Sequence, residues 1–201
     1  MRVLARKGYA ETTLSEVAAE AGVSYGLVSF YFDSKESLLT QTLLSMSEEY
    51  RENWSDALAR AGADPAERLW AMLGADFNDA ICTRDHIACW CAFWGEVQSR
   101  PLYQQECASN DEFLITVLEG LCADVIRQGA YDLDPVHVAR ILRFASDGLW
   151  TDMLAMKAPY SRYEALATMR TCLAVYFPRH FSRTDLPAGS AVETGLDDAH
   201  A

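Results

Sequence analysis

The chain has 201 residues, half of them apolar, with 29 acidic against 17 basic side chains and a formal net charge of −12. That length supports one sizeable core, or a small head fused to a larger body. No stretch approaches the unbroken apolar run of a membrane-crossing helix, and the start, Met1 to Leu4, lacks the apolar core of a signal peptide, so a cytoplasmic protein is expected. The six cysteines then read as reduced thiols rather than a disulfide framework.

Taken in chain order, residues 12–35 spell two short helices around a tight turn. Leu14, Val17, Ala18 and Ala21 recur at helical spacing and give the first of them one apolar face. Thr13 followed by Glu16 predicts a capping box, with the Thr13 hydroxyl on the third amide and the Glu16 carboxylate on the cap amide. Gly22 falls where the chain must turn, Val23 plugs the corner, and Ser24 caps a second helix to about Tyr31. Small Ala18 lets the two helices approach, and Leu27, Val28 and Tyr31 are expected to face their shared core. This is the helix-turn-helix pattern that lays its second helix in the DNA major groove.

The acidity does not lie there. Residues 1–45 hold Arg2, Arg6, Lys7 and Lys35 against Glu11, Glu16, Glu20, Asp33 and Glu36, a net −1, which leaves −11 for the remainder. A near-neutral head lacks the basic stripe of many nucleic-acid faces, so non-specific binding should be weak and salt-sensitive, with helix N-termini and hydroxyls carrying part of the phosphate contact.

The remaining chain reads as helices. Ser34 caps a long one to about Arg60, with Leu39, Leu43, Met46, Tyr50, Trp54 and Leu58 as its buried stripe. Asp64 caps the next and Pro65 takes its first position, with Glu67 completing the box. Further helices are predicted over about 84–97, 102–128 and 135–156, the last opened by Asp134-Pro135, and Ser161 with Glu164 opens a final one. Composition from Thr184 onward predicts a disordered tail. No strand alternation of useful length is present. The class is all-α, divided into a head over 1–45, a helical body over 46–183 and a tail over 184–201.

The order Gly8-Tyr9, Thr12-Thr13, the A-x-x-A-G-V-S run ending at Ser24, Tyr31-Phe32 and Ser34-Lys35-Glu36 with Leu38-Leu39 resembles the DNA-binding head of the TetR family of one-component repressors. Trp90 to Trp94, Pro101 to Tyr103, Asp147 to Trp150 and a closing helix with Phe177 and Phe181 resemble the body of BetI-type regulators, choline-responsive repressors of glycine-betaine synthesis genes. The resemblance implies an all-helical homodimer on a palindromic double-stranded DNA operator, with a small-molecule inducer in the body. It also implies a longer first helix. Only seven residues precede Gly8, so about half of that helix's packing surface is expected to be absent.

Ser24, Tyr25, Gly26 and Ser29 are the expected readers of bases and phosphates on the second helix. The resemblance adds Thr13, Tyr31 and Lys35 as phosphate contacts; Tyr31 as a core aromatic with a wet hydroxyl and Lys35 as a solvated helix-start lysine stay open. The inducer pocket is expected among Phe77, Trp90, Phe93, Trp94, Tyr103, Phe113, Phe144 and Trp150, because aromatic faces with acids nearby suit a quaternary ammonium. An aromatic at helical spacing can equally be core. Asp147 is either a counter-charge there or a packing element near the dimer seam, and Gly148 beside it points to close helix approach. The seam itself is assigned to the last two helices through Trp150, Met153, Leu166, Met169, Leu173 and Tyr176. Two alternatives remain: a non-DNA-binding helical ligand-binding protein, and a regulator sensing thiol oxidation or metal through Cys82, Cys89 and Cys91. The Cys89–Cys91 spacing, with His86 nearby, does not make a metal site, because a helix points those positions apart. No phosphate loop, carboxylate pair or nucleophile elbow is visible, so no enzyme, metal or cofactor is expected. Inducer binding is expected to move the long helix from Lys35 and swing the heads away from operator spacing.

Overall fold

A computed structural model describes residues 1–96, 101–157 and 161–182, except the side chains of 96 and 101–108. Nine helices and no strand lie among them: α1 Arg2–Glu11, α2 Leu14–Ala21, α3 Tyr25–Tyr31, α4 Lys35–Arg60, α5 Pro65–Ala75, α6 Arg84–Glu96, α7 Pro101–Gly129, α8 Pro135–Ala155 and α9 Arg162–Tyr176. The expected disordered tail lies outside the described residues.

The starts and stops follow the local chemistry of the sequence. Ser24 accepts from the amide of Leu27 and Ser34 from that of Ser37. Asp64 accepts from the amides of Ala66 and Glu67, while Ser161 and Glu164 form a reciprocal capping box. Each cap satisfies amides that a helix start leaves without partners. Gly22 ends α2 at φ 67°, a left-handed conformation that a side chain would strain. The box predicted at Thr13 forms only by half. Thr13 accepts from the Glu16 amide, but the Glu16 carboxylate takes the Thr13 hydroxyl and the Lys7 ammonium instead of the cap amide.

The first helix is present but short, and it breaks at Gly8, where φ is 75°. Val3, Leu4 and Tyr9 are buried. They pack α1 on the body helix α6 as well as on α2, and Tyr9 meets Phe93 edge-on at 6.1 Å. Beside the start of α1 lies a cavity of about 210 Å³, lined by Met1, Leu4, Val17, Leu38 and Leu39 among others.

The turn α2–α3 buries less than its pattern predicts. Ala18 and Val28 are enclosed, but Leu27 and Tyr31 are exposed rather than in the shared core. A helix of seven residues against one neighbour hides a single narrow stripe, and Val28 occupies it.

The body wraps α4 with α5 to α9. Leu69, Met72, Leu142, Met153, Met169, Leu173 and Phe177 form its centre with almost no exposure. The long α4 contributes Leu43, Met46, Trp54 and Leu58, so it belongs to both the head and the body.

Candidate functional site

Two regions can bind something, and they differ in chemistry. In the head, Ser24, Tyr25 and Gly26 are exposed, Ser29 is half-buried with its hydroxyl on the Gly26 carbonyl at 3.2 Å, and Thr13 is exposed at the start of α2. Tyr31 is 69% exposed, so the core role left open for it is not realised. Lys35 sends its ammonium to the Ala10 carbonyl at 2.7 Å and over the Tyr9 ring at 5.5 Å, tying the start of α4 to the end of α1. The other head cations are also engaged: Arg2 and Arg6 reach Glu20 at 3.1 and 3.4 Å, and Lys7 reaches Glu16. Two exposed apolar side chains of α3, Leu27 and Phe30, were not among the expected readers. The helical spacing carries the signal for Phe30, which falls nearly opposite Val28, whereas Leu27 lies about a right angle from it.

In the body, a cavity of about 290 Å³ opens between α4, α6, α7 and α8. Of the residues named for an inducer pocket, Trp90, Trp94, Asp147 and Trp150 line it. Trp94 stacks on Trp90 with ring centroids 6.2 Å apart and on Trp150 at 6.5 Å. Tyr50 meets Trp90 and Trp150 edge-on, each at 6.1 Å. The four rings make a continuous aromatic wall. Asp76, at the end of α5, sits inside it: the Tyr50 hydroxyl donates to its carboxylate at 2.8 Å, the Ser146 hydroxyl donates to the other oxygen, and Trp150 Nε1 donates to its main-chain carbonyl at 3.0 Å. Burial pushes the Asp76 carboxyl up to about 6, against the opposing pull of those two hydroxyls, and the Asp147 charge pushes the same way as burial. Burial also raises Asp147 and Asp111, and Arg143 offsets part of both shifts. Arg143 lies 3.4 Å from Asp147. Asp76, Asp111 and Arg143 are not among the pocket residues expected from sequence, and Tyr50 and Trp54 are expected only as the buried stripe of α4, because these residues come from four helices and no short motif joins them.

The remaining expected pocket residues lie elsewhere. Phe77 is enclosed in the core, and Phe93 faces α1 rather than the cavity. Phe113 is exposed beside Trp54, and Phe144 is exposed on the outer side of α8 with the Arg143 guanidinium 4.8 Å above its ring. The Tyr103 side chain lies outside the described residues. For Phe93 and Phe144 the reason is that successive positions on a helix face different sides, and the cavity is on only one of them.

The residues assigned to the seam differ in exposure. Trp150 lines the cavity, while Met153, Met169 and Leu173 are fully enclosed by the chain's own core and offer nothing to a partner; Leu166 and Tyr176 are half-buried. Among the described residues, a Cβ added at Gly148 would meet no atom within 4 Å beyond its chain neighbours and its own helix backbone.

Among the described residues no group of three His, Cys, Asp or Glu could hold a metal ion. Cys82 and Cys89 are buried, and burial pushes both thiols up to about 11, away from the reactive thiolate. His86 is occupied by Thr83 at 2.8 Å and Glu49 at 3.4 Å. No described helix is long and apolar enough to cross a membrane.

Residues 1–42 match the family model described as bacterial regulatory proteins, tetR family, and residues 65–178 match the BetI-type transcriptional repressor, C-terminal model. The HTH-type transcriptional regulator BetI of Agrobacterium fabrum is 34% identical over 161 residues, 74% of this chain and 76% of the relative. A TetR transcription regulator from Haloarcula marismortui superposes with a TM-score of 0.73 at 25% identity, covering 90% of this chain and 93% of that one. A transcriptional regulator from Saccharomonospora viridis, solved in complex with choline, gives 0.75 at 22% identity, covering 86% and 90%; at that identity the likeness carries the fold alone. Head, body and their order along the chain thus agree: this chain belongs to the TetR family of transcriptional regulators and carries a BetI-type C-terminal domain.

Proposed function

We propose that the chain is a dimeric repressor that binds a palindromic operator and releases it when an organic cation enters the body cavity. The observation that carries this reading is the wall of Tyr50, Trp90, Trp94 and Trp150 around Asp76, with Asp111 and Asp147 on the same cavity. Ring faces attract a cation through their quadrupole, and the attraction strengthens where water is excluded. A quaternary ammonium donates no hydrogen bonds, so rings and negative charge are the partners that suit it.

The route to the head runs through α6 as well as α4. One side of α6 supplies Trp90 and Trp94 to the cavity, and another packs Phe93 and Cys89 against α1. A cation that spreads the tryptophans displaces α6, and α1 moves with it. The operator-bound and released states must then differ in ligand affinity, because only that difference shifts the balance.

The two-fold contact fits the outer faces of α8 and α9, where Ile141, Phe144, Tyr163 and Val175 are exposed. The open space at Gly148 would let a partner helix come close. In such a dimer the two α3 helices would read half-sites about one DNA turn apart.

The test is a titration of choline and related quaternary ammonium compounds, followed by tryptophan fluorescence and by release of DNA selected from the regulator's own promoter region. Quenching together with release is the expected result. A flat fluorescence titration across the series overturns the ligand assignment, and failure to bind any promoter DNA at any salt concentration overturns the repressor.

A further inference from the structure

We infer that Phe30, flanked by Leu27 and Gly26, reads the 5-methyl groups of thymines in the major groove. This rests on the DNA-reading role of α3 and identifies which side chains carry sequence preference and which base they prefer.

Three observations converge. Phe30 is 79% exposed, the most exposed large apolar side chain among the described residues, and Leu27 beside it is 46% exposed. At about 100° per residue, Gly26 and Phe30 both lie nearly opposite Val28, the buried residue of α3, so they face straight away from the protein. Second, α3 carries no Arg, Lys, Asn or Gln, the side chains that read guanine or adenine by paired hydrogen bonds. The head's cations, Arg2, Arg6, Lys7 and Lys35, stand on α1 and at the start of α4 rather than on α3. Third, the protein's own fold has no need of glycine at position 26. A Cβ there would meet only the Ser24 hydroxyl, at an ordinary 4.0 Å. Its lack of a side chain clears the surface one turn before Phe30 and allows a base edge to come up to the ring.

The C5-methyl of thymine is the apolar group displayed in the major groove. Phe30 meets the Tyr31 ring edge-on at 5.3 Å, which steadies both rings and leaves the Tyr31 hydroxyl at the margin, where a phosphate lies. The face reads by apolar contact at its centre and by hydroxyls around it.

The experiment uses the full chain. Sites are selected from random duplexes, and each thymine of the selected site is then replaced in turn by deoxyuridine, which removes only the methyl. Expected is a roughly fourfold loss of affinity at one or two thymines of each half-site, the effect of leaving one methyl unburied. Phe30→Ala should make thymine and deoxyuridine equivalent at those positions, and Phe30→Leu should keep part of the difference. Circular dichroism and thermal unfolding of both variants should match the wild type, since the side chain lies outside the core. A selected site indifferent to deoxyuridine at every position overturns the inference, as does discrimination that survives Phe30→Ala unchanged. If no sequence is selected at all, the DNA-reading role fails first, a distinct outcome.

Discussion

In the head, Arg2 and Arg6 reach Glu20 across an exposed seam between α1 and α2, while in the body Asp76 lies enclosed under three tryptophans and a tyrosine. The exposed pairs keep most of their water, so each contributes little, and they leave the head near neutrality. The enclosed carboxylate has lost its water, and its proton affinity rises as a result. The apolar side chains are distributed the opposite way. The head presents Leu27, Phe30 and Tyr31 to solvent, whereas the body hides nearly all of its large side chains except on the outer faces of α7, α8 and α9. On the proposed reading, a charged partner would be met through apolar groups and a cation through a buried acid.

The largest test of that contrast concerns the body core. Leu173→Ala should lower stability by about 2–5 kcal/mol in denaturant unfolding, because the side chain is fully enclosed and its loss leaves a cavity. A change below about 1 kcal/mol would return Leu173 to the surface seam expected from sequence.

The next is pH. The Asp76 acid is raised from 3.8 to about 6 on folding, so the folded chain holds its proton more tightly than the unfolded one. Its stabilising contribution is fully present below about pH 4 and is lost as pH rises through about 6, a change of about 3 kcal/mol over that window. Asp111 and Asp147 are raised in the same direction and should widen the window. Asp76→Asn should flatten this part of the stability profile, measured as denaturation midpoint against pH. A cation prefers the ionised carboxylate, so affinity for quaternary ammonium should rise over the same interval in the wild type and lose that rise in Asp76→Asn.

A third comparison separates the cage from the core. Trp94→Ala should weaken quaternary ammonium binding by about tenfold or more, measured by calorimetry, because a desolvated cation–π contact contributes about 2 kcal/mol. The smallest effect is expected in the head. Glu20→Gln should change stability by less than about 1 kcal/mol while freeing Arg2 and Arg6, which should steepen the salt dependence of non-specific DNA binding. A loss of several kcal/mol there would mean that the head pairs act like buried charges, and the contrast between the regions would fail.

Where helices begin was legible in the residues themselves. Ser24, Ser34, Asp64, Asp134 and Ser161 act on amides two or three residues away, so the chain alone carries the information. Gly22 is equally local. The all-α class, the helix-turn-helix and the family followed from such signals. Which of two apolar faces turns inward was not legible. Met153 and Phe144 lie nine positions apart on α8, both apolar, yet one is enclosed and the other exposed. The choice depends on which neighbouring helix arrives, and that is fixed by packing across distant segments. The cavity shows the same limit: Tyr50 from α4, Asp76 from the end of α5 and Ser146 from α8 become a hydrogen-bonded group only when three helices meet. Local capping energies are set by a few adjacent residues, whereas burial and desolvation are set by every atom that surrounds a site, and only the tertiary structure decides those.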